Sequence, residues 1–417
     1  MQTPKRNMER MAEAVPDTDY QALQNFLTHS HWDHQAVMEK VSQDANAWLG
    51  GSVGSALYID ESGHSKKGKK SVGVARQYNG RLGKVDNCQV AVYGALGKGH
   101  RVGLIDARLY LPEQWTQDPE RCAQADIPRQ HQVYKTKHEL ALEIVAQARR
   151  RGVEFEWVGM DGLYGMSMSL LQALDDQGEV FVADIHKDRH IYLSDPAPTV
   201  PASPAGRGRK RQRYHSNEPA LEVQAWVKNQ PESAWRQKSL REGEQGPMNV
   251  KVLHQRVWLW DKKSSTPRQW HLLVRREPDS PQTLKYSLSN APVRTSVVRL
   301  ARMQSQRYWI ERAFQDAKSH LGMGHYQARK WQSWYRHMAL VMMAYQFMLQ
   351  ERIQQADSYP LLSCYDIQIL MARTLPSNQS NSRAVIEQIH QRHQKRQAAM
   401  DSAKRRRSRS LKKTARS

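Results

Sequence analysis

The chain has 417 residues, enough for a large core and accessory modules, because single cores stop growing at about 250 to 300 residues. With 63 Lys and Arg against 41 Asp and Glu, a net charge of +22, its expected partner is a polyanion. The longest apolar run, residues 338–349, is too short to span a bilayer, and Cys88, Cys122 and Cys364 match neither a disulfide framework nor a zinc spacing. No membrane segment, no signal sequence and a reducing cytoplasm are therefore expected.

Tyr20, Leu23, Phe26 and Leu27, then Val37, Met38 and Val41, recur at helical spacing, which predicts a small helical module over residues 1–49. Within it "HSHWDH" satisfies H-x-H-x-D-H, the metal motif of the metallo-β-lactamase fold, and raises a metal hydrolase using His29, His31, Asp33 and His34. In that fold the motif follows a strand. Here it interrupts a helical pattern, and the strand-rich region begins only afterwards.

From Ser55 the period changes to short β-rich runs, "SALYID", "SVGVARQY", "CQVAVYGALG" and "HRVGLIDARLYL", parted by Gly, Asn and Lys turns. The first run ends on Asp60 and leads into "GHSKKGKK", close to the phosphate loop G-x-x-x-x-G-K-[ST]. Lys70 stands where that loop needs a hydroxyl, and the residues after it read as strand rather than helix. The stretch is instead a hairpin tip whose Lys66, Lys67, Lys69 and Lys70 either track a nucleic-acid backbone or are simply solvated.

Thr136 and Glu139 form a capping box before "LALEIVAQARRRG", with Gly152 as the stop. "EWVGMDG", "MSLLQALDDQG" and "VFVADI" then give strand, helix and strand, so an α/β core is expected over 50–186. The Pro-, Gly- and Arg-rich segment from Asp195 to Tyr214 reads as a mobile basic loop. It opens an inserted β module over 187–294, whose strands "KVLHQRVWLW", "RQWHLLVRRE" and "KYSLSNAP" carry Trp258, Trp260 and Trp270. Helical periodicity returns over 295–375, running through "RLARMQSQRYWIERAFQDAKSHLG". Residues 376–417 read as a basic, largely disordered tail; from Gln391 it holds 11 basic residues and one acid, so +12 of the charge lies elsewhere.

Asp60 and Asp161 each end a predicted strand, a place where sheets of this kind put their chemistry but where an aspartate also caps turns. On the late helix Arg307, Gln315 and Lys318 fall within about 40° of Glu311, beside a separate apolar stripe of Ile310, Phe314, Ala317 and Leu321. That polar face suits either solvated helical ion pairs or a charged site.

With its two strand-end acids, "DGLYG" around the second, and R-x3-E-x6-K as Arg307, Glu311 and Lys318 after an all-β stretch, the chain resembles the DDE transposases of bacterial insertion sequences over residues 49–349. The resemblance implies a ribonuclease-H-like mixed sheet flanked by helices and interrupted by an inserted β module. It implies Asp60, Asp161 and Glu311 as catalytic acids holding Mg²⁺ or Mn²⁺, with Arg307 and Lys318 beside the scissile phosphate. It further implies a tryptophan of the insertion, Trp258 or Trp260 among them, stacked on a flipped base. The implied partners are double-stranded DNA, as terminal inverted repeats and target, and a second copy of the chain on paired ends. Gln304 departs from the pattern, standing where the Y-R-E-K signature has its tyrosine. Carboxylates suit such a task because paired Mg²⁺ ions, about 4 Å apart over one phosphodiester, take oxygen ligands. A domesticated DNA-binding protein without catalysis is the other reading of the same charge.

Overall fold

The computed structural model describes residues 7–201, 212–243, 246–277, 280–375 and most of 386–405. The chain divides into two compact units, Met1–Ser30 with Tyr365–Ser417, and His31–Cys364. The first unit opens with two short helices, α1 (Met8–Ala14) and α2 (Tyr20–Thr28). Polar caps start both: Asn7 accepts the Arg10 amide at 3.0 Å and Asp19 that of Ala22 at 2.8 Å. The described residues of 386–405 are helical, in a stretch read as disordered from its charge. Its Gln, Ala, Met and Arg are good helix formers, and Gln397 reaches Asp401 one turn on at 3.1 Å. The rest of the basic tail, and positions 202–211 of the basic loop, lie outside the described residues.

In the larger unit α3 (His34–Leu49), capped by Asp33, buries Met38, Val41, Ala45 and Leu49, so it belongs with the core rather than with α1 and α2. Four strands follow: β1 (Ser55–Ser65), β2 (Ala75–Asn79), β3 (Lys84–Lys98) and β4 (Arg101–Leu109). Gly99, at φ +60°, makes the two-residue turn between β3 and β4 possible. Helices α4 (Glu113–Thr116), α5 (Pro119–Gln124) and α6 (Lys137–Arg150) follow, α6 starting at the expected Thr136–Glu139 capping box. The crossover ends in β5 (Trp157–Met160), parallel to β1. A second crossover through α7 (Gly162–Gly165) and α8 (Met168–Asp176) leads to β6 (Phe181–Ile185), parallel to β5.

After β6 come the short pair β7 (His190–Ile191) and β8 (Leu221–Glu222), then α9 (Val223–Lys228). An antiparallel meander follows: β9 (Arg236–Gly243), β10 (Gly246–Leu259), β11 (Arg268–Glu277) and β12 (Ser280–Ser289). These strands do not form a sheet of their own. Strand β12 hydrogen-bonds to β6, and the described strands make one ten-stranded sheet in the order β2-β3-β1-β5-β6-β12-β11-β10-β9, with β4 on β3. The apolar positions on both sides of the meander are buried, which is why its alternation could not distinguish a separate module from a sheet extension.

The late helical stretch is broken at Arg307 into α10 (Val297–Gln306) and α11 (Tyr308–His320), and is followed by α12 (Trp331–Gln354) and α13 (Cys364–Thr374). Helices α6 and α8 cover one face of the sheet, burying Ile144, Leu171 and Leu174 with Leu57 and Ile59 of β1. Residues of α10, α11 and α12 cluster with Tyr58 and Tyr93 from the opposite side of the pleat. All three cysteines are free and buried.

Candidate active site

The parallel pairing of β1 with β5 ends at Ile59↔Met160, and that of β5 with β6 at Met160↔Ala183. The next residue in each strand path is an aspartate: Asp60, Asp161 and Asp184. Because side chains alternate across a pleat, these three acids leave the sheet on the face opposite Ile59 and Met160, the face that α10 and α11 cover. Asp184 was hidden in "VFVADI", read only as a strand. An acid closing the third of three adjacent parallel strands was the available signal.

Two glycines let the backbone come close here. A Cβ at Gly159 would meet the ring of Tyr58 at 2.9 Å, and one at Gly165 would lie 1.9 Å from the Asp184 carbonyl oxygen. The last glycine of "DGLYG" is thus required by the seating of α7 against β6. Asp161 is the N-cap of α7, its Oδ1 accepting the amides of Leu163 at 3.0 Å and Tyr164 at 3.5 Å.

Arg307, at the break between α10 and α11, extends among the acids. Its Nε donates to Asp184 Oδ2 at 3.1 Å, its Nη2 to Glu311 Oε1 at 2.7 Å, and its Nη1 to Asp60 Oδ2 at 3.5 Å. Burial works against the Arg307 charge, but Asp184, Asp60 and Glu311 outweigh it and hold its pKa above the ordinary arginine value. Burial and then the neighbouring Asp161 charge push the Asp60 carboxyl up to about 8, against the pull of Arg307 and the Glu61 amide. Asp161 is also raised by burial, with Arg307 and its two capping amides pulling it down. Glu311 remains half exposed, one turn along α11 from Arg307. Lys318 lies two turns beyond Glu311, its ammonium 5.6 Å from the Phe314 ring.

Gln304, in the place of the expected tyrosine, is buried and donates from Nε2 to Ser287 Oγ at 2.7 Å. Ser287 in turn donates to Asp184 Oδ1 at 2.6 Å. The sequence marks Gln304 only as a departure from the signature, and Ser287 not at all.

The oxygen-only donor set of Asp60, Asp161 and Glu311 fits a hard divalent cation, and so does the like-charge crowding that raises Asp60. Among the described residues no group of three or more His, Cys, Asp or Glu side chains is gathered in a metal-holding arrangement; at this site the Arg307 guanidinium reaches in among the acids. The H-x-H-x-D-H stretch gathers no such set either. Its Asp33 caps α3 by accepting the Gln35 amide at 2.8 Å, and the His34 ring packs 5.1 Å from that of Tyr335.

The lysines after β1 separate into two kinds. Lys67, Lys69 and Lys70 are exposed, whereas Lys66 donates to the Tyr326 carbonyl, lies over the Tyr326 ring and has its pKa lowered to about 8 by burial. Lys66 is therefore a structural cation, in contrast to its expected place along a nucleic-acid backbone. The chain then runs into β2, not a helix, which removes the phosphate-loop alternative. Trp270 is core, edge-on to Phe181 at 5.1 Å. Trp258 and Trp260 are half-buried at the end of β10, Trp260 donating to the Ser264 carbonyl at 2.7 Å.

Residues 1–247, more than half of the chain, match the family described as DDE superfamily endonuclease. The chain belongs to that family. The matched span includes Asp60 and Asp161 and stops short of Glu311. A probable transposase for insertion sequence element IS701 from Microchaete diplosiphon is 29% identical over 193 residues, 45% of this chain and 47% of that protein. The chain thus spans about half the length of this curated relative. Among solved structures, the NurA nuclease from Sulfolobus solfataricus aligns at 8% identity over 82% of this chain and 93% of that one, with a TM-score of 0.21.

Proposed function

We propose that this DDE endonuclease is a metal-dependent DNA transposase that cuts double-stranded DNA at the ends of an insertion element and joins the freed 3′-hydroxyl to target DNA. The observation that carries the reading is the register row of Asp60 and Asp161, each one residue past the end of the parallel pairing between their strands, with Arg307 just before α11 and Glu311 within it brought to that row. The order β4-β3-β1-β5-β6, with its first three strands antiparallel and the last two parallel to β1, supports a ribonuclease-H-like core, and β9–β12 are then its inserted strands.

Asp60, Asp161 and Glu311 would hold Mg²⁺ or Mn²⁺, which when bound supplies an activated attacking oxygen and charge neutralisation at the phosphodiester. Arg307 contributes a fixed positive charge beside the scissile phosphate, and its guanidinium has more N–H donors than the hydrogen bonds it makes to Asp184, Asp60 and Glu311. Lys318 adds charge along the same helix, and Lys67, Lys69 and Lys70 engage backbone phosphates. The half-buried Trp258 and Trp260 are the stacking candidates. The partner is DNA, with two copies of the chain on paired ends, in the cytoplasm.

The test is single-turnover cleavage of a duplex carrying the ends of the DNA segment that encodes the chain. Nicking at those ends in Mg²⁺, none in EDTA and none with Asp60→Asn is expected. Binding without cleavage in either metal would leave the non-catalytic reading standing.

A further inference from the structure

Ser287 and Asp184 face each other directly in the antiparallel pairing of β12 with β6, so their side chains are cross-strand neighbours. The serine hydroxyl has one proton, and it goes to Asp184 Oδ1 at 2.6 Å. The serine oxygen, Ser287 Oγ, accepts the Gln304 amide at 2.7 Å. That amide is oriented independently, because its Nε2 also faces the Lys285 carbonyl at 3.4 Å, which can only accept. Every hydrogen bond in the series therefore has one sense: Gln304 to Ser287, Ser287 to Asp184, with Arg307 Nε donating to the remaining Asp184 oxygen at 3.1 Å.

We infer that Gln304, Ser287 and Asp184 form a positioning chain that sets the Arg307 guanidinium against Asp60 and Glu311. Asp184 shares the register row of Asp60 and Asp161, yet both of its oxygens are committed, one to Ser287 and one to Arg307. It is an orienting anion in that row. The arrangement also gives the late strands a task at the site, since β12 delivers Ser287 and α10 delivers Gln304. A planar guanidinium is sensitive to such orientation, because its donors diverge at fixed angles.

This inference rests on the proposed cleavage activity, and its test separates the two. Asp184→Asn is isosteric and keeps one acceptor. It should slow single-turnover cleavage by about ten- to a hundredfold, the usual cost of losing an outer partner of a site, with the affinity for duplex DNA held within about threefold. Ser287→Ala should act in the same direction, and the double variant should be no slower than Asp184→Asn alone, because both cut one chain. Additive losses, or wild-type cleavage by Asp184→Asn, would overturn the inference while leaving the activity in place. Mn²⁺ affinity, read by electron paramagnetic resonance, should change by less than about threefold in Asp184→Asn; a loss of about tenfold or more would make Asp184 a ligand instead. Should the wild type not cleave, the Arg307 Nε–H resonance, assigned by its disappearance in Arg307→Lys, still decides: slow solvent exchange that is lost in Asp184→Asn upholds the chain, and unchanged exchange overturns it.

Discussion

Asp60 and Asp161 stand in one register row, each a single residue beyond the Ile59–Met160 pair that ends the ladder between their parallel strands. Neighbouring strands lie about 4.8 Å apart, so two carboxylates are held close on one face of the sheet before any ligand arrives. Such a pair is unfavourable unless a positive charge joins it, and Arg307 is the cation that α11 brings.

Asp60→Asn, Asp161→Asn and Glu311→Gln should each abolish cleavage of element ends, since each removes an anionic oxygen from the proposed metal site. Their effects on stability should differ. Asp60→Asn removes a desolvated carboxyl beside Asp161 and should melt above the wild-type temperature, whereas Asp161→Asn keeps an oxygen to cap α7, asparagine being as good an N-cap as aspartate, and should melt close to wild type. Cleavage by any of the three at the wild-type rate would remove that residue from the site.

Stability should depend on pH through Asp60. With its carboxyl pushed up to about 8, the folded chain holds a proton that the unfolded chain releases near pH 4, so this group's contribution falls as pH rises from about 4 to 8. His254 and His337, each driven down to about 4 by burial, work in the opposite sense below about pH 6.5. The Asp60 slope therefore stands clear between about pH 6.5 and 8. In EDTA, the melting-temperature gain of Asp60→Asn over wild type should grow across that interval, and Mn²⁺ should shrink it. A gain that stays flat would mean the carboxyl is ionised throughout.

Asp60, Asp161, Glu311 and Arg307 were legible in the sequence because each belongs to a short pattern: an acid closing an apolar run, "DGLYG", and R-x3-E-x6-K. The α6 capping box was legible for the same reason, being set by residues three apart. Asp184 and Ser287 were not, because strand register between β6 and β12 joins them from more than 100 residues apart, and Gln304 was legible only as a departure from the signature, not as a donor to Ser287. The continuity of the meander with the core sheet was hidden for a like reason, since alternation identifies a strand but not its partner. The break at Arg307 carries no sequence signal, because no Gly or Pro marks it and Gln306 and Arg307 are themselves good helix formers.

Removing the Arg307 guanidinium leaves Asp60, Asp184 and Glu311 without the cation they share. Arg307→Ala should lower stability by about 2 kcal/mol, less than the 3 to 5 kcal/mol typical of a fully buried pair because Glu311 is half exposed. It should also sharpen the response to divalent cations, because the uncompensated acids then bind them more strongly. The melting-temperature rise on adding Mn²⁺ should be larger in Arg307→Ala than in wild type, although cleavage is lost. An equal or smaller rise would place the cation site away from these acids.

The lysines after β1 give the final expectation, because two roles lie within five residues. The backbone there is fixed: Asn87 donates to the Lys66 and Gly68 carbonyls, and Arg121 to that of Lys69 at 3.1 Å. Exposed Lys67, Lys69 and Lys70 are thus presented on an ordered segment, so a phosphate contact costs little beyond side-chain order. If each meets one phosphate, the triple alanine variant should lower the slope of log affinity against log salt by about 0.9 per lysine on duplex DNA, with the melting temperature almost unchanged. Lys66→Ala should behave in the reverse way. It removes the donor to the Tyr326 carbonyl and the cation over that ring, so the melting temperature should fall while the salt slope stays near wild type. A salt slope that responds to Lys66 and not to the other three would exchange the two roles.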